Sequence, residues 1–288
     1  MNLTDRIYLA VHLALTVLVL ARHDHVSHWP KYVAWNVVAM TAIWLLARKQ
    51  RDGVGWEFAH DWLPAAVFFT SVFEEVSFLS LALVPHWQSW RIAAFEAALF
   101  GGPPVLWLRH HVPAWSVELL EFGYFAFYPM YPIVGLIFWT RRKLPEYQLA
   151  FRRMTDAAAV GYVVCYATYL LWPTQSPCHA GGIAAPEAHG LFRWLVGLVQ
   201  GNAGVHGNAF PSSHIMLAFV VLVFARCYLP RWAPWLLLID LLMCLGAVYD
   251  GYHYASDAVA GAVLGAAVAG MFVLRAPPQR VSVTAIGV

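Results

Sequence analysis

Eight apolar stretches, each about as long as the 15 to 23 residues that approach a membrane crossing, dominate this chain. Of its 288 residues, 60% are hydrophobic and only 12% are charged, which is far more apolar than a soluble domain of this length requires. We therefore predict an all-α polytopic membrane bundle of about eight transmembrane helices, forming a single integral membrane domain over residues 1–288. The stretches are 6–21, 32–47, 63–84, 117–139, 155–172, 212–229, 233–249 and 257–274.

The shorter apolar stretches leave an alternative open. Two of them are short enough to lie at the membrane surface or in a tilted hairpin, so seven crossings remain possible. The sequence "RIAAFEAALF" at 91–100 is typical of an amphipathic interfacial helix. The end of the first stretch offers only a poor small-residue site for cleavage of a signal peptide, so we expect this stretch to be a retained helix.

The basic residues predict how these segments are oriented. They cluster at 48–51, after the second segment, and at 140–153, between the fourth and fifth segments. The positive-inside rule places both loops, and then both termini, on the cytoplasmic side of a plasma (inner) membrane. The loops at 85–116, 173–211 and 250–256 consequently face the periplasm or exterior. No basic run suggests a nucleic-acid partner.

A short polar motif, "PSSH" at 211–214, stands at the outer end of the sixth segment. Pro211 suits the first turn of a helix, where the hydroxyls of Ser212 and Ser213 can accept hydrogen bonds from free amides. In isolation the motif needs no other explanation. However, His253 and Asp257 stand four residues apart at the mouth of the last segment, on the same predicted side.

These polar residues together predict phosphoryl transfer. A carboxylate one turn from a histidine can fix its tautomer and stabilise its positive charge, which leaves the other ring nitrogen as a nucleophile. A second histidine, His214, can protonate a leaving group. A helix N-terminus with free amides and two hydroxyls suits a phosphate. Each signal is weak alone, and the prediction depends on their combination.

Small residues predict that the two helices carrying these motifs pack against each other. Steps of four from His253 and Asp257 reach Gly261 and Gly265, and a step of four from His214 reaches Ala218. Such stripes allow close approach of two helices in a membrane. We infer that these faces meet and bring His214 near His253. The alternative is that the last segment is simply a membrane helix rich in alanine and glycine.

These residues resemble those of the membrane-bound type 2 phosphatidic acid phosphatase superfamily, whose second motif is P-S-G-H and whose third ends in H-x-x-x-D. The similarity covers residues 60–268, including "FEEVSF", "YPMYPIVGLIF" and "LLWPTQSP", and is greatest to the branch that contains inositol phosphorylceramide synthases. The resemblance implies that His253 attacks phosphorus, Asp257 orients it and His214 protonates the leaving group. It also implies that Ser212 and the amides around Ser213 hold phosphate oxygens, with no metal and no other cofactor.

The chain departs from the phosphatase pattern in its cations. The phosphatases carry an arginine six residues before the nucleophilic histidine, where this chain has Ala247, and "WPTQSPCHAGG" lacks the lysine and arginine of their first motif. Arg193, the single arginine of the loop 173–211, is therefore our candidate for substrate binding, and His206 could add charge. A phosphate monoester brings almost two negative charges, whereas a diester brings one and needs fewer guanidinium groups.

The absence of the phosphatases' lysine and arginines thus favours a transfer reaction, in which a phospholipid donates its phospho-headgroup to a lipid alcohol. The alternative is a phosphatase acting on lipid phosphate monoesters of the phosphatidic acid or polyprenyl phosphate type. A transporter or a non-catalytic lipid-binding protein is the other class, because Glu74, Glu75 and Asp240 lie within apolar segments. We expect at least one of the adjacent glutamates to be buried in polar contacts. Asp250 precedes His253 by three residues, and its role stays open between added negative charge and binding of an acceptor hydroxyl.

Overall fold

The computed structural model describes residues 1–49, 53–180, 183, 190–203 and 207–274. Within these residues the chain is all-helical, and short 3-10 helices lie at His23–His25 and Ala114–Ser116. The α-helices are α1 (Leu3–Ala21), α2 (Trp29–Arg48), α3 (Val54–Leu83), α4 (Ser89–Phe100), α5 (Pro104–His111), α6 (Val117–Thr140), α7 (Pro145–Leu171), α8 (Pro177–Ala180), α9 (Leu191–Ala203), α10 (Ser213–Tyr228), α11 (Ala233–Tyr249) and α12 (Ala255–Leu274).

The eight predicted segments correspond to the longest of these helices, which are α1, α2, α3, α6, α7, α10, α11 and α12. Among the described residues, five helices are long and apolar enough to cross a membrane: α1, α3, α6, α7 and α12. The apolar helices α10 and α11 are shorter, with 16 and 17 residues. The predicted polytopic helical bundle is confirmed, and these helices indicate an integral membrane protein.

The predicted surface helix at 91–100 is present as α4, which begins two residues earlier at Ser89. It ends at Gly101, whose φ of 76° lies in the left-handed region that glycine adopts without strain. The chain then turns into α5. Helix α4 contacts α8 and α12, and α5 contacts α11. We call α4, α5 and the turn between them the α4–α5 hairpin.

The three loops predicted to lie on one side do meet at one end of the bundle. The amide of Gln88, before α4, donates to the carbonyl of Pro173 at 2.8 Å. The amide of Cys178 in turn donates to the carbonyl of Gly251 at 3.1 Å. We call this the outer end. Its orientation toward the exterior, and the cytoplasmic position of both termini, stay predictions.

The predicted close packing of α10 and α12 is confirmed at two glycines. A Cβ atom added to Gly261 would lie 2.5 Å from the carbonyl oxygen of Ser212. One added to Gly265 would lie 2.2 Å from the carbonyl oxygen of Met216. Any larger side chain would therefore force the two backbones apart, so these glycines set the distance between the helices.

The face that α10 turns toward α12 differs from the predicted one. The prediction chose the stripe of His214 and Ala218, whereas the atoms opposite the glycines belong to Ser212 and Met216. Because successive helical residues are rotated by about 100°, a residue two positions away points to a different side. His214 therefore faces other helices, and Ser212 is the motif residue held against α12.

Candidate active site

His253 occupies the short connection between α11 and α12, where its backbone amide donates to the carbonyl of Ala247 at 3.0 Å. The side chain is 7% exposed. Its Nε2 lies 3.1 Å from Oγ of Ser212, and its Nδ1 lies 3.5 Å from Oδ2 of Asp257. The second distance is longer than a normal hydrogen bond. The structure thus places one ring nitrogen toward Ser212 and the other toward the carboxylate.

Asp257 is fully buried and ties the parts of this site together. Its Oδ2 accepts a hydrogen bond from the amide of Tyr254 at 2.9 Å, and its backbone carbonyl accepts one from the amide of Ser212 at 3.1 Å. The first residues of α12, the His253 connection and the start of α10 are therefore held in one arrangement by a single residue.

Burial also sets the protonation state of His253. Removal from water disfavours the charged imidazolium and lowers the pKa of His253 to about 4. The ring is therefore neutral near pH 7. A neutral imidazole has the free lone pair that a nucleophile requires.

Ser212 is the N-cap of α10, and its Oγ accepts from the amide of Ile215 at 3.4 Å. Pro211 therefore precedes the cap. The sequence predicted that it would lie in the first turn of the helix, and this prediction is wrong. The hydroxyl of Tyr169 in α7 fastens this start, because it donates to the carbonyl of Pro211 at 2.7 Å and accepts from the amide of Ser213 at 3.2 Å. The amides of Ser212 and Ser213 are both bonded within the protein, to the carbonyl of Asp257 and the hydroxyl of Tyr169. Phosphate binding by Ser212 and by the amides around Ser213 stays a prediction.

We expect Tyr169→Phe to destabilise the start of α10. The substitution leaves the buried amide of Ser213 and the carbonyl of Pro211 without their partner, which costs about 1 to 3 kcal/mol for a buried polar group. Thermal unfolding of the purified protein in detergent measures the loss. Tyr147→Phe is the control, because the hydroxyl of Tyr147 accepts a hydrogen bond from an exposed arginine at 3.3 Å. Equal unfolding temperatures for the two variants would contradict this assignment.

His214 is half-buried in the first turn of α10 and is surrounded by aromatic rings from α3 and α6. The imidazoles of His214 and His253 lie close enough to interact electrostatically. That both histidines act in one catalytic site stays a prediction, and the helix faces that bring them together differ from the predicted ones. The ring centroids around His214 lie at 5.2 Å for Phe127, 5.9 Å for Phe73, 6.3 Å for Tyr128 and 6.5 Å for Tyr124.

Arg193 in α9 lies at this site but is engaged by protein groups. Its Nη1 donates to Oε1 of Glu121 at 2.7 Å, bonds the hydroxyl of Tyr252 and lies 3.8 Å from Oδ1 of Asp250. Both carboxylates are fully buried. Burial, and then the nearby Glu121 carboxylate, raise the pKa of Asp250 to about 8. His206, the other predicted source of charge, lies outside the described residues.

Sequence reasoning missed two charged residues of the α4–α5 hairpin. Oε1 of Glu96 accepts hydrogen bonds from the amide and the hydroxyl of Ser256, at 2.7 and 2.8 Å. Arg109 donates from Nε to the carbonyl of Tyr249 at 2.8 Å. The contact of Glu96 could have been suspected from the sequence, because Glu96 is a carboxylate within the largely apolar stretch 91–100. The contact of Arg109 with Tyr249 could not have been predicted from residue spacing, because it joins segments that are 140 residues apart.

The glutamate pair of α3 divides as expected. Glu74 is exposed, whereas Glu75 is buried and accepts from Nδ2 of Asn36 at 2.8 Å. Oδ1 of Asn36 lies 2.6 Å from Nδ1 of His12, so α1, α2 and α3 share one polar chain. Asp240 in α11 is also fully buried, and no hydrogen bond from a described residue reaches its carboxylate.

The chain is similar to one known family over part of its length. The family model of the PAP2 superfamily matches residues 171–280, a range that contains both the Pro211–His214 and the His253–Asp257 motifs. No curated protein and no solved structure matches the chain. The family match indicates an enzyme with phosphatase or phosphotransferase chemistry on lipid phosphates. Helices α1 to α6 lie outside the matched range.

Proposed function

We propose that this protein is a lipid phosphotransferase that works through a phosphohistidine on His253 at the outer end of the bundle. The observation that carries the proposal is the position of His253, with Nε2 facing Ser212 and Nδ1 facing Asp257. On this proposal the whole chain belongs to the PAP2 superfamily. From the resemblance to the branch that contains inositol phosphorylceramide synthases, the proposal takes the transfer of a phospho-headgroup between lipids and leaves the headgroup open.

In the first step, Nε2 of His253 attacks the phosphorus of a phospholipid. A phosphorus–nitrogen bond forms while the bond to the glycerolipid oxygen breaks, and His214 gives that oxygen a proton as general acid. Asp257 stabilises the positive charge that develops on the ring and keeps the Nδ1 proton in place. Ser212, which lies 3.1 Å from the attacking nitrogen, donates its hydroxyl to a phosphate oxygen.

In the second step, the hydroxyl oxygen of a lipid alcohol attacks the same phosphorus. The phosphorus–nitrogen bond breaks, and the alcohol proton passes to His214, now acting as general base. The phospho-headgroup has then moved from one lipid to another. With water in place of the alcohol the same site would be a phosphatase, so the acceptor determines the outcome.

The charges around the site support a phosphodiester donor. Of the described cations, Arg193 is bound by Glu121 and lies close to Asp250, and Arg109 is bound to the carbonyl of Tyr249. Guanidinium groups engaged in this way neutralise little of a phosphate monoester's second charge. A diester, with a single negative charge, needs less compensation.

A monoester phosphatase is the second candidate, favoured by Arg109. Besides Arg193, which the sequence predicts, Arg109 lies beside the His253 connection. A shift of this side chain on substrate binding would add the missing cation. The alternative function, a transporter, is supported by buried carboxylates within the apolar helices, such as Asp240 in α11, and not by the cluster around His253.

The proposal is tested with purified protein in mixed micelles. We expect transfer of the phospho-headgroup from a phosphodiester lipid to an added lipid alcohol, with no release of inorganic phosphate. Phosphatidic acid and a polyprenyl phosphate serve as monoester substrates in parallel. Release of inorganic phosphate from these, without headgroup transfer, would replace the transferase by the phosphatase. No turnover of any substrate would remove the enzymatic proposal.

A further inference from the structure

A cavity of about 650 Å³ lies at the outer end, beside the proposed active site. The α4 side contributes Trp87, Trp90 and Glu96, and the facing side contributes Gln175 and Tyr254. Tyr254 directly follows His253, and its amide bonds Asp257. The cavity is therefore lined by the residue next to the proposed nucleophile.

The polar lining of this cavity favours a cation. Glu96 is the one charged side chain among the described lining residues, and both of its bonds to Ser256 use Oε1, so neither occupies Oε2. Two indole rings and a phenol ring accompany this carboxylate. Aromatic faces with a carboxylate are the usual environment for an organic ammonium group. A polyol would require more hydrogen-bonding groups, and Oγ of Ser89 already accepts from the amide of Gln175 at 2.7 Å.

An apolar groove of about 680 Å³ lies on the other side of the α4–α5 hairpin. It runs between that hairpin and the helices α11 and α12, and its lining includes Phe100, Trp107 and Val259. The cavity and the groove share Pro103 and Leu106. The cavity with its carboxylate and the neighbouring apolar groove together suit an amphiphile that has an ammonium headgroup and an acyl chain.

We propose that the donor is a zwitterionic phospholipid whose ammonium group binds in the Glu96 cavity while an acyl chain lies in the apolar groove. The inference rests on the proposed function, because the donor phosphate must reach His253, whose near neighbours line the two regions: Tyr254 lines the cavity and Ala255 lines the groove. Recognition of the headgroup then comes from attraction of the ammonium to Glu96 and to the rings of Trp87 and Tyr254. A neutral headgroup of similar size, such as glycerol, would lack this attraction.

The test measures binding apart from turnover. Radiolabelled phosphatidylcholine and phosphatidylglycerol with identical short chains are titrated against the His253→Ala protein in detergent micelles. We expect at least about tenfold tighter binding of the zwitterionic lipid, and loss of most of that preference on adding Glu96→Gln. The amide retains an oxygen acceptor for Ser256 but removes the charge. Equal binding of the two lipids, or a preference unchanged by Glu96→Gln, would overturn the inference.

A second variant protects the test against a structural effect of Glu96→Gln. Trp87→Leu removes an aromatic wall of the cavity, and Trp115→Leu is its control because Trp115 is 79% exposed and lines neither region. We expect only the first to weaken phosphatidylcholine binding, by about fivefold or more. Equal effects of the two variants would contradict the proposed cavity.

Turnover by the wild-type protein separates donor from acceptor. With one neutral lipid alcohol as acceptor, phosphatidylcholine and phosphatidylethanolamine should be better donors than phosphatidylglycerol. With phosphatidylglycerol as the fixed donor, an amino alcohol and a neutral alcohol should be equal acceptors. Discrimination among acceptors alone would assign the ammonium site to the acceptor and contradict our inference. Transfer from all donors at equal rates would also refute it, while leaving the proposed function intact.

Discussion

His253→Ala is expected to lower the rate of headgroup transfer by at least about 10⁴-fold, the scale seen when a covalent nucleophile is removed. The substitution removes the nitrogen that lies 3.1 Å from Ser212, and no other described histidine occupies that position. The backbone bond from residue 253 to Ala247 does not depend on the side chain, so the protein should still fold. Initial rates in mixed micelles, with unfolding temperatures of both proteins, measure the effect.

The matched control is His25→Ala. His25 is an exposed histidine that follows α1 and has no part in the cluster around His253. We expect its transfer rate to equal that of the wild type. A His253→Ala protein that retains a tenth of the wild-type rate, with normal unfolding, would show that the chemistry does not pass through this residue.

Gly265→Ala is expected to have the largest effect on stability. A Cβ atom at this position would lie 2.2 Å from the backbone carbonyl oxygen of Met216 and 3.0 Å from Cβ of Phe219. Because a backbone atom cannot rotate away, α10 and α12 must separate. Overpacking of this kind costs about 1 to 3 kcal/mol, and we expect the upper end of that range. Thermal unfolding in detergent measures it.

Gly270→Ala in the same helix provides the comparison. A Cβ atom added there meets nothing within 4 Å, so the change should be neutral or stabilising, since alanine favours a helix over glycine by about 1 kcal/mol. We also expect Gly265→Ala to lower the transfer rate, because separating the helices moves Ser212 away from His253. Equal unfolding temperatures for the two alanine variants would contradict the packing described for α10 and α12.

The features that the sequence predicted well depend on local patterns. The long helices follow from runs of apolar residues. The proximity of His253 to Asp257 follows from their separation of four residues, although His253 lies just before α12 and not within it. The approach of α10 to α12 follows from the glycines at 261 and 265, where the absence of side chains determines how close two backbones can come.

The features that the sequence did not predict depend on contacts between distant segments. The rotation of α10 that turns Ser212 toward α12 is set by packing on several neighbours at once, which a stripe of small residues cannot specify. The carboxylates around Arg193 come from α6 and from the end of α11. Glu96 reaches α12 across 160 residues of chain. Composition and spacing contain little information about such contacts.

Mass spectrometry of the trapped protein detects the proposed covalent intermediate on His253. Wild-type protein is mixed with the phospholipid donor in the absence of acceptor, quenched in base and digested. We predict a peptide carrying the phospho-headgroup on His253, absent from the His253→Ala protein and lost when lipid alcohol is added before the quench. A bare phosphoryl group on His253 after mixing with phosphatidic acid, with no adduct from the phosphodiester donor, would indicate a monoester phosphatase instead. Full headgroup transfer with no adduct on His253 at any time would contradict the account.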